Sequence, residues 1–165
     1  MLMQRVITSV ILLPLVIAAI WYMPTWGIAL LYGVMLVIGA WEWASMTGLN
    51  RSWQLLYVLA LILMMLALLV WRTAAGLPLT VVIMAGMWWL CALVWMLIAP
   101  ILPKGQSMLV IKLLLGPMIL LPSLVALVYL HEQSQIGHLW VLAVCVLVWG
   151  ADIGAYFAGR TFGKH

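Results

Sequence analysis

Charged residues are scarce in this 165-residue chain, which contains seven Lys and Arg and three Asp and Glu. They make up 6% of the sequence, against about 25% in a typical soluble domain, whereas hydrophobic residues reach 69%. A chain this short keeps a large share of its surface exposed after folding, so it cannot hide that much apolar surface from water. The composition therefore excludes a soluble globular domain and indicates that the solvent of the folded chain is lipid.

Several familiar chemical motifs are also missing. The sequence has no CxxC pair, no metal-ligand spacing, no Walker loop, no Rossmann fingerprint, no HExxH and no GxSxG. Its two cysteines, Cys91 and Cys145, lie in apolar segments and are interpreted as small hydrophobic residues. The cations are scattered singly, with no basic run, which argues against nucleic acid as a partner and favours contacts with membrane lipids.

Long apolar runs fill most of the chain. Six can be marked, at residues 6–23, 26–46, 53–71, 77–99, 108–130 and 139–158. Backbone polar groups in lipid need internal partners, so each run is predicted to be a helix, and each is close to the roughly 20 residues that a span requires. We therefore predict an all-α, polytopic integral membrane helical bundle of about six transmembrane helices, with residues 1–165 forming a single transmembrane domain.

The cations predict the orientation. With the N-terminus in the cytoplasm, five of them fall on the cytoplasmic side and one, Arg72, on the other. The five are Arg5, Arg51, Lys104, Arg160 and Lys164. Lys112, early in the fifth span, can snorkel to the same cytoplasmic face.

Two dipeptides that each contain one proline interrupt the fifth apolar run, Gly116-Pro117 and Pro122-Ser123. Proline removes a backbone donor and kinks a helix, so we expect this span to be broken at both places. Such a helix often lines a cavity or groove. The alternative is a packing irregularity that neighbouring helices tolerate.

Three ionisable residues lie inside spans: Glu42, Lys112 and Asp152. Such groups are costly in lipid and are functional suspects by default. In the predicted orientation all three lie in the cytoplasmic halves of their helices, which predicts one polar site that faces the cytoplasm. For Glu42 the alternative is an interfacial carboxylate near a helix end.

The last stretch, residues 149–164, is the most informative. Asp152 and Tyr156 are four residues apart and share a helix face. Small residues recur at the same spacing and allow a close approach of another backbone; they are Ala151, Ala155, Gly159 and Gly163. Arg160 and Lys164 follow just beyond the apolar core. One carboxylate and two cations suit a phosphate-bearing substrate with a divalent metal. The alternative is a helix-packing seam with two anchoring cations.

Residues 150–165, GADIGAYFAGRTFGKH, resemble the conserved segment of bacterial phosphatidate cytidylyltransferases, also called CDP-diacylglycerol synthases. QRVITS at 4–9, LP at 13–14 and WEWA at 41–44 agree with the same family, so the resemblance runs the whole length. The closing segment is its specific part.

The resemblance implies transfer of a cytidylyl group from CTP to phosphatidic acid, which gives CDP-diacylglycerol and pyrophosphate and requires Mg²⁺. It implies that Asp152 makes metal or substrate contacts and that Arg160 and Lys164 bind phosphate. We expect Asp152 and Lys164 to be catalytic, with Asp152 also a metal ligand, and a substrate-binding set of Tyr156, Gly159, Arg160 and Gly163. The implied location is the bacterial inner membrane, as a multi-pass protein, and a homodimer is left open.

Two segments of the resembled family have no counterpart here: S-P-x-K-T-x-E-G, and the C-terminal signature S-x-x-K-R-x-x-x-x-K-D, whose acidic residues the family uses at its metal centre. We therefore expect the chain to be the N-terminal part of such an enzyme and to be inactive alone. Two other readings stay open. One is a transporter or channel fragment in which Glu42 and Asp152 relay charge and the broken fifth helix is a gate. The other is a non-catalytic membrane scaffold.

Overall fold

The computed structural model describes residues 2–72, 77–98, 108–133 and 135–163. Within these ranges the chain forms six α-helices and no strand. The helices are α1 (Leu2–Tyr22), α2 (Thr25–Met46), α3 (Arg51–Trp71), α4 (Leu77–Ile98), α5 (Met108–Glu132) and α6 (Gly137–Phe162). Five of them, α2 to α6, are long and apolar enough to cross a membrane. The predicted all-α, multi-pass membrane fold is confirmed.

The turns follow the local sequence. Pro24 separates α1 from α2, and its carbonyl accepts from the Gly27 and Ile28 amides in the first turn of α2. Gly48 has a φ of +80°, a conformation that glycine adopts without the strain of a side chain, and it turns the chain after α2. Asn50 then caps α3, because its side chain accepts from the Trp53 amide at 3.1 Å.

Helix α5 corrects one expectation. It is a single continuous helix from Met108 to Glu132 that contains both Pro117 and Pro122, so the predicted break of the fifth span is wrong. Pro117 cannot donate to the carbonyl of Leu113, and the Tyr57 hydroxyl on α3 donates to that carbonyl instead, at 3.0 Å. The side chain of another helix therefore satisfies the group that proline leaves unpaired.

The chain divides into two compact units, and the division falls within α2 and α5. Unit 2 comprises Ala29–Tyr129. Its core is formed by α2, α3 and α5, with alanines on α2 that let the other helices approach closely. The buried core residues are Ala29, Leu36, Ala40, Val58, Leu61, Met65, Leu121, Leu124 and Val128.

Helix α4 takes no part in that core. None of its residues from 78 to 98 is buried, although the helix belongs to unit 2. Its apolar side chains are therefore exposed, and some of them line cavities beside the neighbouring helices.

Unit 1 comprises Met1–Ile28 and Leu130–His165, and in it α1 packs against α6. Ile20 and Val141 are buried there, and the rings of Trp21 and His138 meet edge to face with centroids 4.4 Å apart. The prediction of a single domain over residues 1–165 stays a prediction.

His131, at the end of α5, forms hydrogen bonds with the end of α1 and the start of α2. His131 Nε2 lies 3.2 Å from the Ile20 carbonyl, which can only accept, so Nε2 donates. His131 Nδ1 then accepts from the Thr25 hydroxyl at 2.9 Å. The start of α2 and the end of α5 are thereby tied to the end of α1.

Candidate active site

The polar residues of α6 lie along one side of the helix. At 100° per residue, Tyr156, Gly159 and Arg160 all project within about 80° of Asp152, and Arg160 lies about 12 Å further along the axis. Every residue from 150 to 163 is exposed. The structure therefore brings together the four predicted site residues of α6 on one open face.

The first half of α6 uses the same face for packing. Val141 precedes Asp152 by three helical turns, so the two lie on the same side of the helix. Val141 is 2% exposed and buried in unit 1, while Cys145 between them is half-buried. One face of α6 is thus packed at its beginning and open at its end.

The open end of this face carries a carboxylate with no matching group. Within residues 135–163 and the rest of the described chain, no hydrogen bond or ion pair is made to Asp152. A carboxylate inside an apolar span is costly unless a polar or charged partner covers it. Asp152 is therefore exposed without a polar partner among the described residues.

The end of α6 carries an exposed cation. Arg160 is exposed in the last helical turn, where its guanidinium offers a planar fork to phosphate oxygens. Gly163 leaves the helix in an extended conformation, and its amide donates to the Gly159 carbonyl at 2.9 Å. Lys164 lies outside the described residues, so its expected place beside Arg160 stays a prediction.

The described residues do not form a resident metal centre. They contain no group of three or more His, Cys, Asp or Glu side chains that could hold an ion. Asp152 can supply one hard oxygen ligand of the kind that Mg²⁺ prefers, and Mg²⁺ commonly takes water and substrate phosphate as its other ligands. The described residues therefore supply only one ligand of a magnesium site.

Comparison with known proteins decides the family. The model of the cytidylyltransferase family matches residues 3–165. The chain belongs to the cytidylyltransferase family. The resemblance expected from the segment around Asp152 is thereby confirmed, and the match includes all four exposed residues of the α6 face.

Two curated relatives extend the match over the whole chain. A phosphatidate cytidylyltransferase of Pseudomonas aeruginosa is 37% identical over 166 residues, which cover 100% of this chain and 60% of that protein. A phosphatidate cytidylyltransferase of Haemophilus influenzae is 29% identical over 183 residues, which cover 100% of this chain and 62% of the relative. The chain thus spans about three fifths of the length of these relatives. No solved structure matches it.

The other two ionisable residues that were expected in the site belong to unit 2. Glu42 is exposed near the end of α2, and Lys112 is exposed in the second turn of α5. Neither makes an ion pair within the described ranges. Asp152 belongs to unit 1, so one polar site that joins all three stays a prediction.

Sequence reasoning missed a polar junction in unit 2. Trp43 Nε1 on α2 donates to the Lys112 carbonyl at 2.8 Å, and the Tyr57 hydroxyl on α3 donates to the next carbonyl, that of Leu113. Gly116 makes room for both, since a Cβ at that position would collide with the Tyr57 hydroxyl and lie 3.0 Å from Trp43 Nε1. We call these four residues, Trp43, Tyr57, Gly116 and Pro117, the α5 junction.

The sequence did hold a signal for this junction. Pro117 guarantees one unpaired carbonyl four residues earlier, and a buried carbonyl in lipid requires a donor. Tyrosine and tryptophan are the apolar-bodied residues that carry such a donor. The donor that pairs the Leu113 carbonyl could not be identified from the sequence, because Tyr57 is 56 residues away from Leu113.

Proposed function

We propose that this chain forms the N-terminal membrane part of an enzyme that transfers a cytidylyl group from CTP to phosphatidic acid. The products are CDP-diacylglycerol and pyrophosphate, and the process is phospholipid biosynthesis. The observation that carries the proposal is the match of the whole chain to a phosphatidate cytidylyltransferase at 37% identity. The open polar face of α6 is the feature of the structure that suits it best.

The reaction requires the meeting of two anions. A phosphate oxygen of phosphatidic acid attacks the α-phosphorus of CTP, the bond from that phosphorus to the β-phosphate oxygen breaks, and pyrophosphate leaves with its electron pair. Cations that face the phosphates lower the repulsion and hold the two partners in line. We propose that Arg160, which is exposed in the last turn of α6, has this role and that Lys164 joins it.

The remaining residues of the face contribute shape and position. We propose that Gly159 and Gly163 allow the phosphates to approach the backbone closely, because neither has a side chain in the way. Tyr156 is 61% exposed, and we propose that its hydroxyl contacts a polar group of the substrate. The exposure and spacing of the α6 residues support these proposals.

We also propose that the reaction needs Mg²⁺ and that Asp152 provides one of its oxygen ligands. A single carboxylate does not complete a site, so the other ligands come from substrate phosphate, water and protein groups outside the described residues. This incomplete donor set supports the further proposal that residues 1–165 do not catalyse the transfer by themselves.

Location follows from the substrates. One substrate is a membrane lipid and the other is water-soluble, which supports a site at a membrane surface. We propose the bacterial inner membrane, with the end of α6 at its cytoplasmic face as the distribution of cations predicts. A homodimer stays a prediction.

A transporter or channel finds less support. That hypothesis requires a broken fifth helix as the gate, whereas α5 is continuous through both prolines. A non-catalytic scaffold predicts that no property of the protein depends on CTP, which the following experiment tests directly.

The test compares two purified proteins in mixed micelles of detergent and phosphatidic acid. One is the 165-residue chain. The other, the fusion enzyme, is this chain followed by the part of the Pseudomonas aeruginosa relative that extends beyond the match. We expect the fusion enzyme to form labelled CDP-diacylglycerol from labelled CTP in the presence of Mg²⁺, and the 165-residue chain to form none.

The Pseudomonas relative itself serves as the positive control. A fusion enzyme that elutes as a single species and resists proteolysis like that relative, yet forms no CDP-diacylglycerol, would contradict the proposed function. Product formation by the 165-residue chain would instead contradict its proposed inactivity.

A further inference from the structure

A cavity of about 430 Å³ lies between α2, α4 and α5 in unit 2, within the roughly 300–1,000 Å³ typical of ligand pockets. Most of its wall is apolar, but polar side chains and a proline also line it. The residues that matter below are Tyr32 of α2, Ala85 and Trp89 of α4, and Pro122 and Ser123 of α5. Trp89 is exposed, so the cavity can be reached from the surrounding membrane.

The cavity lies deep in the membrane span. Tyr32 follows the start of α2 by seven residues, Ala85 follows the start of α4 by eight, and Pro122 precedes the end of α5 by ten. At about 1.5 Å per residue, these positions are about 10–15 Å from the helix ends, which places them inside the hydrocarbon core. None of the described lining residues is charged, so a charged ligand group would lack a counter-charge here.

Tyr32 brings an unmatched hydroxyl to this cavity. Its side chain is half-buried, and within the described ranges its hydroxyl makes no hydrogen bond. The hydroxyl is nevertheless accessible, because the described part of the chain has no buried side-chain nitrogen or oxygen that lacks a partner. A tyrosine hydroxyl both donates and accepts, so it is available to a polar group that enters the cavity.

The α5 wall lacks a donor where Pro122 lies. Pro122 has no N–H, so the Met118 carbonyl, which points along the helix toward it, loses its helical donor. The carbonyl that corresponds to Pro117 receives the Tyr57 hydroxyl, whereas no side chain of the described residues donates to the Met118 carbonyl. The two prolines of α5 therefore differ: one is compensated by another helix, and the other adjoins a cavity.

Ser123 adds a second acceptor to the same wall. Its hydroxyl donates to the Leu120 carbonyl at 2.7 Å, which leaves the lone pairs of Ser123 Oγ free to accept. Together with the Met118 carbonyl, the α5 wall offers acceptors, and Tyr32 on the facing helix offers a hydroxyl donor. This polar pattern requires an occupant that can both donate and accept.

We propose that an uncharged lipid with a free hydroxyl group binds in this cavity, with its hydroxyl between Tyr32 and the α5 wall and its chain along the apolar side chains. A hydroxyl accepts from Tyr32 while it donates to α5. An ether, ester or ketone only accepts, and a phosphate or ammonium brings a charge that no described lining residue balances. The ligand is neutral, so this site is separate from the proposed cytidylyl transfer, both substrates of which are anions.

The experiment uses two photoreactive probes that differ in one hydrogen-bond donor. One is a long-chain primary alcohol with a diazirine near its hydroxyl group, and the other is the methyl ether of the same molecule. The purified 165-residue chain is reconstituted in phosphatidylcholine nanodiscs with either probe, irradiated, digested and mapped by mass spectrometry. We expect the alcohol to label the cavity-lining stretches of α2, α4 and α5, and the ether to label them about fivefold less, the effect of losing one uncharged hydrogen bond.

Two substitutions test the two sides of the polar pattern. Pro122→Ala supplies the Met118 carbonyl with its helical donor, so it should lower the yield with the alcohol toward that with the ether and leave the ether unchanged. Tyr32→Phe removes the donor that both probes use and should lower both yields by about fivefold. Tyr22→Phe is the matched control, because it removes a hydroxyl from an exposed residue of unit 1, and it should leave both yields unchanged.

Two further variants test the place of binding. Ala85→Phe fills this cavity and should abolish the cross-links, whereas Ala92→Phe fills instead a cavity of about 290 Å³ between α4 and α5 and should preserve them. Equal labelling of the cavity by the alcohol and the ether would overturn the proposal, because the chain alone would then explain the binding. An unchanged yield with the alcohol in both Tyr32→Phe and Pro122→Ala would overturn it as well. The elution profile and melting temperature of each variant verify that the fold is retained.

Discussion

Helices α5 and α6 both carry polar features in an apolar sequence, and they treat them in opposite ways. On α5 the carbonyl that Pro117 leaves unpaired receives the Tyr57 hydroxyl, and Gly116 is buried beneath that contact. On α6 the carboxylate of Asp152 and the guanidinium of Arg160 are exposed and receive nothing from the described residues.

The difference separates two uses of polarity in a membrane. A polar group that is matched inside the protein holds helices together, and its loss should weaken the fold. A polar group that is left unmatched costs free energy until a ligand or another segment covers it, and its loss should weaken function instead. The predictions below test whether α5 and α6 follow this division.

Arg160 should show a large effect on function. In the fusion enzyme, Arg160→Gln should lower the rate at limiting CTP by about 10- to 100-fold, because a charge-assisted contact to phosphate contributes roughly 1.5–3 kcal/mol. Arg160→Lys should recover part of the rate, since it keeps the charge and loses the fork. Initial rates against CTP concentration measure this, and Arg51→Gln is the charge-matched control. A normal rate in Arg160→Gln would remove this residue from the site.

Gly116 should show the largest effect on stability. Gly116→Ala places a Cβ against the Tyr57 hydroxyl, and we expect a loss of about 2 kcal/mol from overpacking. Thermal unfolding in detergent micelles measures it. Gly33→Ala is the control, because a Cβ at Gly33 meets nothing within 4 Å. Equal melting temperatures for the two variants would show that Gly116 makes no close contact.

Much of the fold was predictable from sequence, for a simple physical reason. Lipid forces each apolar run into a helix, and Pro24 and Gly48 mark turns through their own backbone preferences. The predicted limits agree with the structure within a few residues. The largest differences are four residues each: α1 begins at Leu2 rather than residue 6, and α6 runs to Phe162 rather than residue 158.

The rest depended on tertiary contacts. Whether Pro117 breaks α5 is decided by Tyr57 on another helix, and no local pattern reveals that partner. On α6 the spacing of Asp152 and Tyr156 predicted a shared face, because that spacing is a property of one helix. Whether Glu42 and Lys112 share a site with that face depends on long-range packing, which cannot be deduced from a single sequence.

Tyr57 should show an intermediate effect on stability. Tyr57→Phe keeps the ring and leaves the Leu113 carbonyl without a donor, so we expect a loss of about 1 kcal/mol, or a melting temperature lower by roughly 2–4 °C. Because the hydroxyl is the atom with which a new Cβ collides, Tyr57→Phe should also relieve part of the Gly116→Ala defect. Strict additivity of the two changes would contradict the contact between these residues.

Thr25 should show the smallest effect. Thr25→Val removes the hydroxyl that donates to His131 Nδ1, and hydrogen bonds of this kind in membrane proteins average about 0.6 kcal/mol. The melting temperature should fall by roughly 1–2 °C. Thr161→Val, at an exposed position of α6, is the matched control and should leave it unchanged. A larger loss in the Thr161 variant than in the Thr25 variant would reverse the ranking.

The most direct test of the account measures one substitution by two methods. Asp152→Asn in the fusion enzyme keeps the size of the side chain, removes its charge and replaces one acceptor oxygen by a donor NH2 group. We predict that CDP-diacylglycerol formation falls by about 100-fold or more, as for the loss of one well-placed electrostatic contact, while the melting temperature stays the same or rises. A variant that melts several degrees lower and turns over normally would contradict the account, because Asp152 would then stabilise the fold and not the reaction.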